Sequence, residues 1–224
     1  MNRRIFLARL AILSAGLISV VRGVVSWAQG LPSDPGVASG PDVLPFFTKD
    51  GGMPLEKAFL ERKTTRSYDP DKKLTREEVS RLLWAAGGVN RSNGRRTIFT
   101  ASGRYPIDIL AVLPDGVFKY QCKEHKLIKI LDQDIRPVII KNPVNFQQAG
   151  MTLLYIMNKD KVAHGIIEYG DFEIGGMMEN IHLEAANLGL GAVIFEGLAE
   201  DTAKILGLTE NQTVRIAQAV GGAK

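Results

Sequence analysis

The run MTLLYIM, residues 151–157, is apolar but for Thr152 and does not alternate. A strand of that kind is stable only when both of its faces are covered, so it reads as a central strand with packing on each side of its sheet. IDILAVL (107–113) and VFKYQC (117–122) are rich in β-branched and aromatic residues and are separated by Pro114-Asp115-Gly116, which reads as a hairpin. GAVIF (191–195) and TVRIAQAV (213–220) read as further strands, with a short helix at EDTAKILG between them.

The helices are marked by their ends. Thr75-Arg76-Glu77-Glu78 is a capping-box sequence, in which the Thr hydroxyl and the Glu carboxylate satisfy each other's orphan amides, and the helical pattern continues to a stop at Gly87-Gly88. Pro54 suits the first turn of an earlier helix, with Leu55, Ala58, Phe59 and Arg62 following at helical spacing. Residues 90–97, NRSNGRRT, form a polar loop with turn chemistry at Asn93-Gly94. Asp160 to Leu188 is helical in pattern, and the stretch from Gly165 to Gly176 is expected to bend or divide it. The sum is an α+β domain, a mostly antiparallel central sheet with helices packed on it in three layers.

At 224 residues the chain suits one domain preceded by a short extension. That extension is a signal peptide by pattern over residues 1–28: a basic start, an apolar run from Leu10 to Val21, then Ser26 and Ala28 flanking Trp27. Arg3-Arg4 followed by Ile5, Phe6 and Leu7 resembles the twin-arginine export signal, with Asn2 where Ser or Thr is usual. The alternative is an uncleaved membrane anchor, but only 12 residues separate Arg9 from Arg22, short of the roughly 20 that a spanning helix needs. The expected location is therefore periplasmic or otherwise extracytoplasmic, with membrane contact only through the leader. Because that route carries folded proteins, chiefly enzymes loaded with a cofactor, the leader itself hints at one. Residues 29–50, rich in Pro, Gly and Ser, read as a flexible linker, and the folded domain is expected over 51–224.

Without the leader, Lys+Arg falls from 28 to 24, equal to the 24 Asp+Glu. A neutral body lacks the broad basic surface that nucleic-acid binding exploits, so no nucleic-acid partner is expected. Cys122 is the only cysteine, which excludes an intrachain disulfide, a thiolate zinc site and a CxxC redox pair. His125, His164 and His182 are scattered without metal-ligand spacing, so no metal is expected. Cys122 and His125 could mimic a thiolate–imidazole pair, but Cys122 ends a strand pattern and reads as a small buried hydrophobe. The GLGLGAVIFEG stretch has Ile194 at the third glycine position of a dinucleotide fingerprint and precedes a strand where that fingerprint follows one. Neither a phosphate-binding GxxxxGK[ST] loop nor a nucleophile elbow is present.

What remains is ERKTTR, residues 61–66. Arg62, Lys63 and Arg66 surround Thr64 and Thr65 where the first helix ends. Such a cluster suits an anion socket, and it equally suits a solvated helix end in which cations favour the macrodipole.

Five blocks in order resemble the nitroreductase family of FMN proteins, in its SagB/ThcOx-type dehydrogenase branch. Arg62-Lys63-Thr64-Thr65-Arg66-Ser67-Tyr68 stands where the family has Arg-Arg-Ser-x-Arg and an aromatic. Leu74 to Gly88 is similar to its Leu-Thr-x-Glu-Glu-Val-x-x-Leu-Leu-Trp-Ala-Ala-x-Gly. Arg96-Thr97-Ile98-Phe99-Thr100-Ala101-Ser102-Gly103-Arg104-Tyr105-Pro106 is similar to Arg-Thr-x-Pro-Ser-Ala-Gly-x-x-Tyr-Pro, with Phe99, Thr100 and Ser102 departing from it. Gly116 to Tyr120 with His125-x-Leu127 resembles Gly-x-Tyr-x-Tyr and His-x-Leu. Gly176-x-x-x-Glu179-Asn180 with the exit Gly189-Leu190-Gly191 resembles the family's Gly-x-x-x-Gln-Asn helix, with Glu179 for Gln.

The resemblance implies a nitroreductase-like fold and an FMN cofactor whose phosphate is held by Arg62, Thr64 and Arg66, with Lys63 solvated. It places Thr100, Ala101 and Ser102 near the isoalloxazine and Glu196-Gly197 where family members line the flavin with backbone. It implies an oxidoreductase that passes hydride equivalents through the flavin to or from a small molecule, with NAD(P)H or another electron donor, as a homodimer. Two other activities are compatible: a peptide azoline dehydrogenase of a maturation pathway, and a flavin-binding or storage protein without turnover. No residue is assigned as catalytic acid or base.

Overall fold

A computed structural model describes residues 42–48 and 52–224; the leader and most of the linker lie outside the described residues. Six strands form one sheet: β1 Ile107–Leu113, β2 Gly116–Gln121, β3 Lys126–Leu131, β4 Met151–Asn158, β5 Gly191–Phe195 and β6 Gln212–Gly221. Their order is β3-β2-β1-β4-β6-β5, and every pairing is antiparallel. β4 is central and buried at all eight positions, Thr152 and Asn158 included, as expected of a strand covered on both faces.

The helices are α1 Leu55–Glu61, α2 Arg76–Gly87, α3 Arg136–Ile139, α4 Ile167–Asn187 and α5 Thr202–Ile205. α2 begins as expected, with Thr75 accepting from the Glu78 amide at 3.1 Å and Glu78 accepting from the Thr75 amide at 2.6 Å. Alternation along β1 and β4 divides the core in two. Ile107, Ile109, Met151, Leu153 and Tyr155 join Leu82, Leu83, Met177 and Ile181 of α2 and α4 on one face. Leu110, Val112, Leu154 and Ile156 join Tyr68, Ile139 and Phe146 on the other. Three layers result, an α+β architecture of helices, sheet, and short helical and irregular segments.

α4 is locked to the sheet by a buried polar chain: the Tyr155 hydroxyl donates to Gln218 at 2.6 Å, and Gln218 donates to the Met178 carbonyl at 3.0 Å. The expected break between Gly165 and Gly176 occurs only at its start, where His164 and Gly165 take φ of 56° and 69°. α4 then runs straight through Gly170, Gly175 and Gly176. Two of those glycines serve close approach instead, since a Cβ would lie 2.5 Å from Met157 Cε at Gly170 and 2.4 Å from Ile98 Cδ1 at Gly176.

Two further differences from the sequence reading concern the far edge of the sheet. β3 was not anticipated, because KLIKIL is half exposed and is recognisable as a strand only by its pairing with β2. Residues 42–48, within the expected linker, pack along that edge: Val43 bridges Lys126, and Leu44 is buried with its amide on the His125 carbonyl at 3.0 Å. Ser80 donates to the Pro45 carbonyl at 2.6 Å, which leaves its oxygen to accept from His125 Nε2 at 2.7 Å while Tyr120 donates to His125 Nδ1 at 2.8 Å. One neutral tautomer satisfies the whole chain. His125 is thereby committed to the fold.

Candidate cofactor site

The end of α1 sets up the first segment. Arg62 leaves helical geometry with φ −58° and ψ 121°, and the chain runs on extended. Thr64 forms a parallel bridge with Ala192 of β5, and the Thr65 amide donates to the Ala192 carbonyl at 2.9 Å. An extended segment alternates its side chains. Thr65 is buried against Gly191, where a Cβ would fall 2.4 Å from its own, while Thr64 and Arg66 are exposed and Arg62 is half-buried. Lys63 is exposed. Arg62 Nε lies 4.0 Å from Glu179 Oε1 of α4, a solvent-facing pair worth little by itself. Asn145 braces the segment from the other layer, donating to the Arg66 carbonyl at 2.6 Å.

The second segment leaves β5 at its other end. Glu196 stands four positions along from Ala192, roughly 13 Å for an extended strand. Its side chain is exposed, and Gly197 accepts at its carbonyl from the Lys141 and Asn142 amides at 2.9 and 3.2 Å. The approach is so close that a Cβ on Gly197 would sit 1.7 Å from the Asn142 oxygen. This backbone is held rigidly from across the sheet.

The third segment is one turn of 3-10 helix, Ala101–Gly103, entered from Thr100. Ser102 adopts φ 54°, ψ 23°, the left-handed conformation a glycine would favour, so the tight turn survives the departure from the family's Gly. Tyr105 is also left-handed at φ 48°, and its amide donates to the Thr100 hydroxyl oxygen at 2.9 Å. Among the described residues no hydrogen bond joins this turn to the other two segments. α4 links them, with Glu179 beside Arg62 and Glu173 beside Thr100, six residues or about 9 Å apart along its axis.

Sequence reasoning missed Glu173. It is 1% exposed, and neither carboxylate oxygen has a hydrogen-bond partner. Burial pushes its pKa up to about 7, against a downward pull from the Thr100 hydroxyl beside it and from Arg96. The signal was present: Gly170, Glu173, Met177 and Ile181 recur at helical spacing on the buried face of α4. Among the described residues no three His, Cys, Asp or Glu side chains come together as a metal site.

An antiparallel sheet is covered by two helices on one face, with the exit of α1 clamped to its edge strand. A profile of the nitroreductase family matches residues 60–222, and the chain belongs to that family. A nitroreductase-like protein of Methanocaldococcus jannaschii is 29% identical over 155 residues, 62% of this chain and 76% of its own. The crystal structure of a nitroreductase-like protein of Ralstonia eutropha superposes with a TM-score of 0.76 at 30% identity, covering 84% of this chain and 93% of that one. A nitroreductase-like protein of Desulfovibrio desulfuricans, crystallised in complex with FMN, shares the fold at a TM-score of 0.55 and 18% identity, over 77% of this chain and 88% of that one.

Proposed function

We propose that this nitroreductase-family oxidoreductase binds FMN and passes hydride equivalents through it from NADH or NADPH to a small-molecule acceptor. The observation that carries the reading is the extended exit of α1, which leaves Thr64 and Arg66 exposed and Arg62 half-buried at alternate positions while Thr65 is buried against β5. Two guanidiniums and a hydroxyl are a donor set suited to a phosphate dianion, with forked, charge-assisted hydrogen bonds. The bound flavin supplies the redox chemistry, and the chain supplies position. Thr100, Ala101 and Ser102, and the braced backbone of Glu196 and Gly197, are the segments assigned to the ring. Hydride transfer depends on orientation more than on acid–base help, which suits a backbone held by close contacts.

A homodimer is part of the same reading. Leu55, Phe59 and Leu60 of α1, with Phe172 of α4 and Phe99 beside it, are large apolar side chains left exposed. An apolar surface of that kind favours a subunit contact.

The purified protein is expected to be yellow, to release FMN on denaturation, and to bleach when NADH or NADPH is added without oxygen. Release of FAD, or failure to take up FMN on reconstitution, would overturn the reading. The Arg3-Arg4 leader supports delivery of the folded, flavin-loaded chain across the cytoplasmic membrane, where a twin-arginine receptor reads arginine rather than charge. With Arg3→Lys and Arg4→Lys together, a yellow precursor is expected to accumulate in the cytoplasm. Export of the doubly substituted chain at the normal level would exclude that route.

A further inference from the structure

A carboxylate buried without partners is costly unless it is neutral, or unless a second arrangement of its neighbours pairs it. Glu173 is in that position, with both oxygens unpartnered and 1% of the residue exposed. The groups that reach it are Thr100 and Arg96, both from the segment between α2 and β1. Both also contact Tyr105, Thr100 as an acceptor with its hydroxyl proton left free and Arg96 through its backbone amide and its guanidinium. The Thr100 hydroxyl oxygen accepts from the Tyr105 amide at 2.9 Å, and the Arg96 amide donates to the Tyr105 hydroxyl at 3.2 Å. The Arg96 guanidinium lies 4.2 Å from the centre of the Tyr105 ring. Between Thr100 and Tyr105 the backbone is left-handed at Ser102, Gly103 and Tyr105, so the turn is held by this bracket against its local preference.

We propose that Glu173 is a positioning residue that holds a proton and re-sets the 100–105 turn when it loses that proton. With the carboxyl neutral, Arg96 stacks on Tyr105 and the turn stands as described. When the proton leaves for solvent, the buried anion accepts the free hydroxyl proton of Thr100 and draws the Arg96 guanidinium from the Tyr105 ring, and the bracket loosens on its Arg96 side. This rests on the functional reading above, which assigns Thr100 to Ser102 to the flavin ring.

The electrostatics agree with the geometry. Burial raises Glu173 to about 7, so the change falls near neutral pH. An acid raised in the folded state holds a proton that the unfolded chain has released. Its stabilising contribution is therefore complete below the ordinary carboxylate range and is lost as pH rises toward about 7. Arg96 is the charged group facing it.

The test compares the wild-type chain with Glu173→Gln, which keeps the shape and removes the titration. In FMN-free protein, the infrared difference spectrum across neutral pH is expected to show a protonated-carboxyl stretch that disappears on alkalinisation in the wild type and is absent from E173Q. The melting temperature is expected to fall between the ordinary carboxylate range and about pH 7 in the wild type and to level off above it, and E173Q is expected to lack this fall. In FMN titrations followed by flavin fluorescence, the wild-type Kd is expected to weaken roughly tenfold from mildly acidic to mildly alkaline pH, one pK unit of coupling. E173Q is expected to keep the acidic value throughout. If E173Q does not fold, Glu173→Met, apolar and of similar volume, takes its place. The absence of the infrared titration, or FMN profiles that change equally in both proteins, would overturn the proposal. Failure of the wild type to bind FMN at any pH would sink the functional reading instead, while the infrared and melting data still decide whether Glu173 holds the proton.

Discussion

Replacing Gly197 with alanine is expected to cost about 3 kcal/mol of stability, the upper end of what overpacking exacts, and to abolish flavin retention with it. The reason is where the added atom must go. A Cβ at this position would lie 1.7 Å from the Asn142 carbonyl oxygen and 2.7 Å from its carbon, both backbone, so no rotamer change relieves the clash. The Lys141 and Asn142 amides, which both donate to the Gly197 carbonyl, would have to part from it to make room. That would release the exit of β5, the backbone assigned to the flavin ring. Gly175→Ala is the matched control, because a Cβ there meets nothing within 4 Å. In the middle of α4 it is expected to stabilise by up to about 1 kcal/mol through helix propensity. Urea melts of the two variants beside the wild type decide the matter. A Gly197→Ala protein as stable as its parent would show that the 141–142 segment is free to move.

The contrast between those glycines illustrates what the sequence could and could not disclose. Glycine in a helical pattern is ambiguous, since it marks either a bend or a close approach, and only the neighbour across the gap decides. At Gly170 and Gly176 the neighbours are Met157 and Ile98, distant in sequence, so a bend was the natural expectation and was wrong. The central strand was legible because burial on both faces leaves its signature in every residue of 151–157. The capping box was legible because it is local, complete within four residues. β3 was not, because an edge strand needs no regular pattern and is defined by its hydrogen bonds to β2. The same holds for Leu44, whose burial depends on a bridge to Lys126.

The candidate site divides along the same line. Arg62, Thr64 and Arg66 are named as a set only by the family resemblance, because the residues alone left an anion socket and a solvated helix end both open. Glu173 could not be found from the sequence, because its neighbours come from the segment between α2 and β1, distant from it in sequence. An acidic residue on the buried stripe of a helix was visible, but nothing in the sequence said that Thr100 and Arg96 would be its neighbours.

FMN affinity is expected to fall roughly ten- to a hundredfold in Arg66→Ala, since a charged hydrogen bond to phosphate contributes about 1.5–3 kcal/mol and each 1.4 kcal/mol is tenfold. Lys63→Ala is expected to change it by less than about twofold, as for a solvated charge. The two cations are both exposed and three residues apart, so a general electrostatic attraction would treat them nearly alike, whereas alternation along an extended segment turns them to opposite sides. Arg62 adds a finer test. Glu179 stands 4.0 Å from it where the family resemblance has an uncharged Gln, and a carboxylate there both engages the guanidinium and repels a phosphate. Glu179→Gln is therefore expected to tighten FMN binding and to lessen its dependence on salt, opposite in sign to Arg66→Ala. Flavin fluorescence titrations of the three variants at two ionic strengths resolve these effects. Equal losses in Lys63→Ala and Arg66→Ala would mean that the phosphate approaches from the other side of the segment, and weaker binding in Glu179→Gln would mean that the acid holds Arg62 in place for the phosphate rather than competing with it.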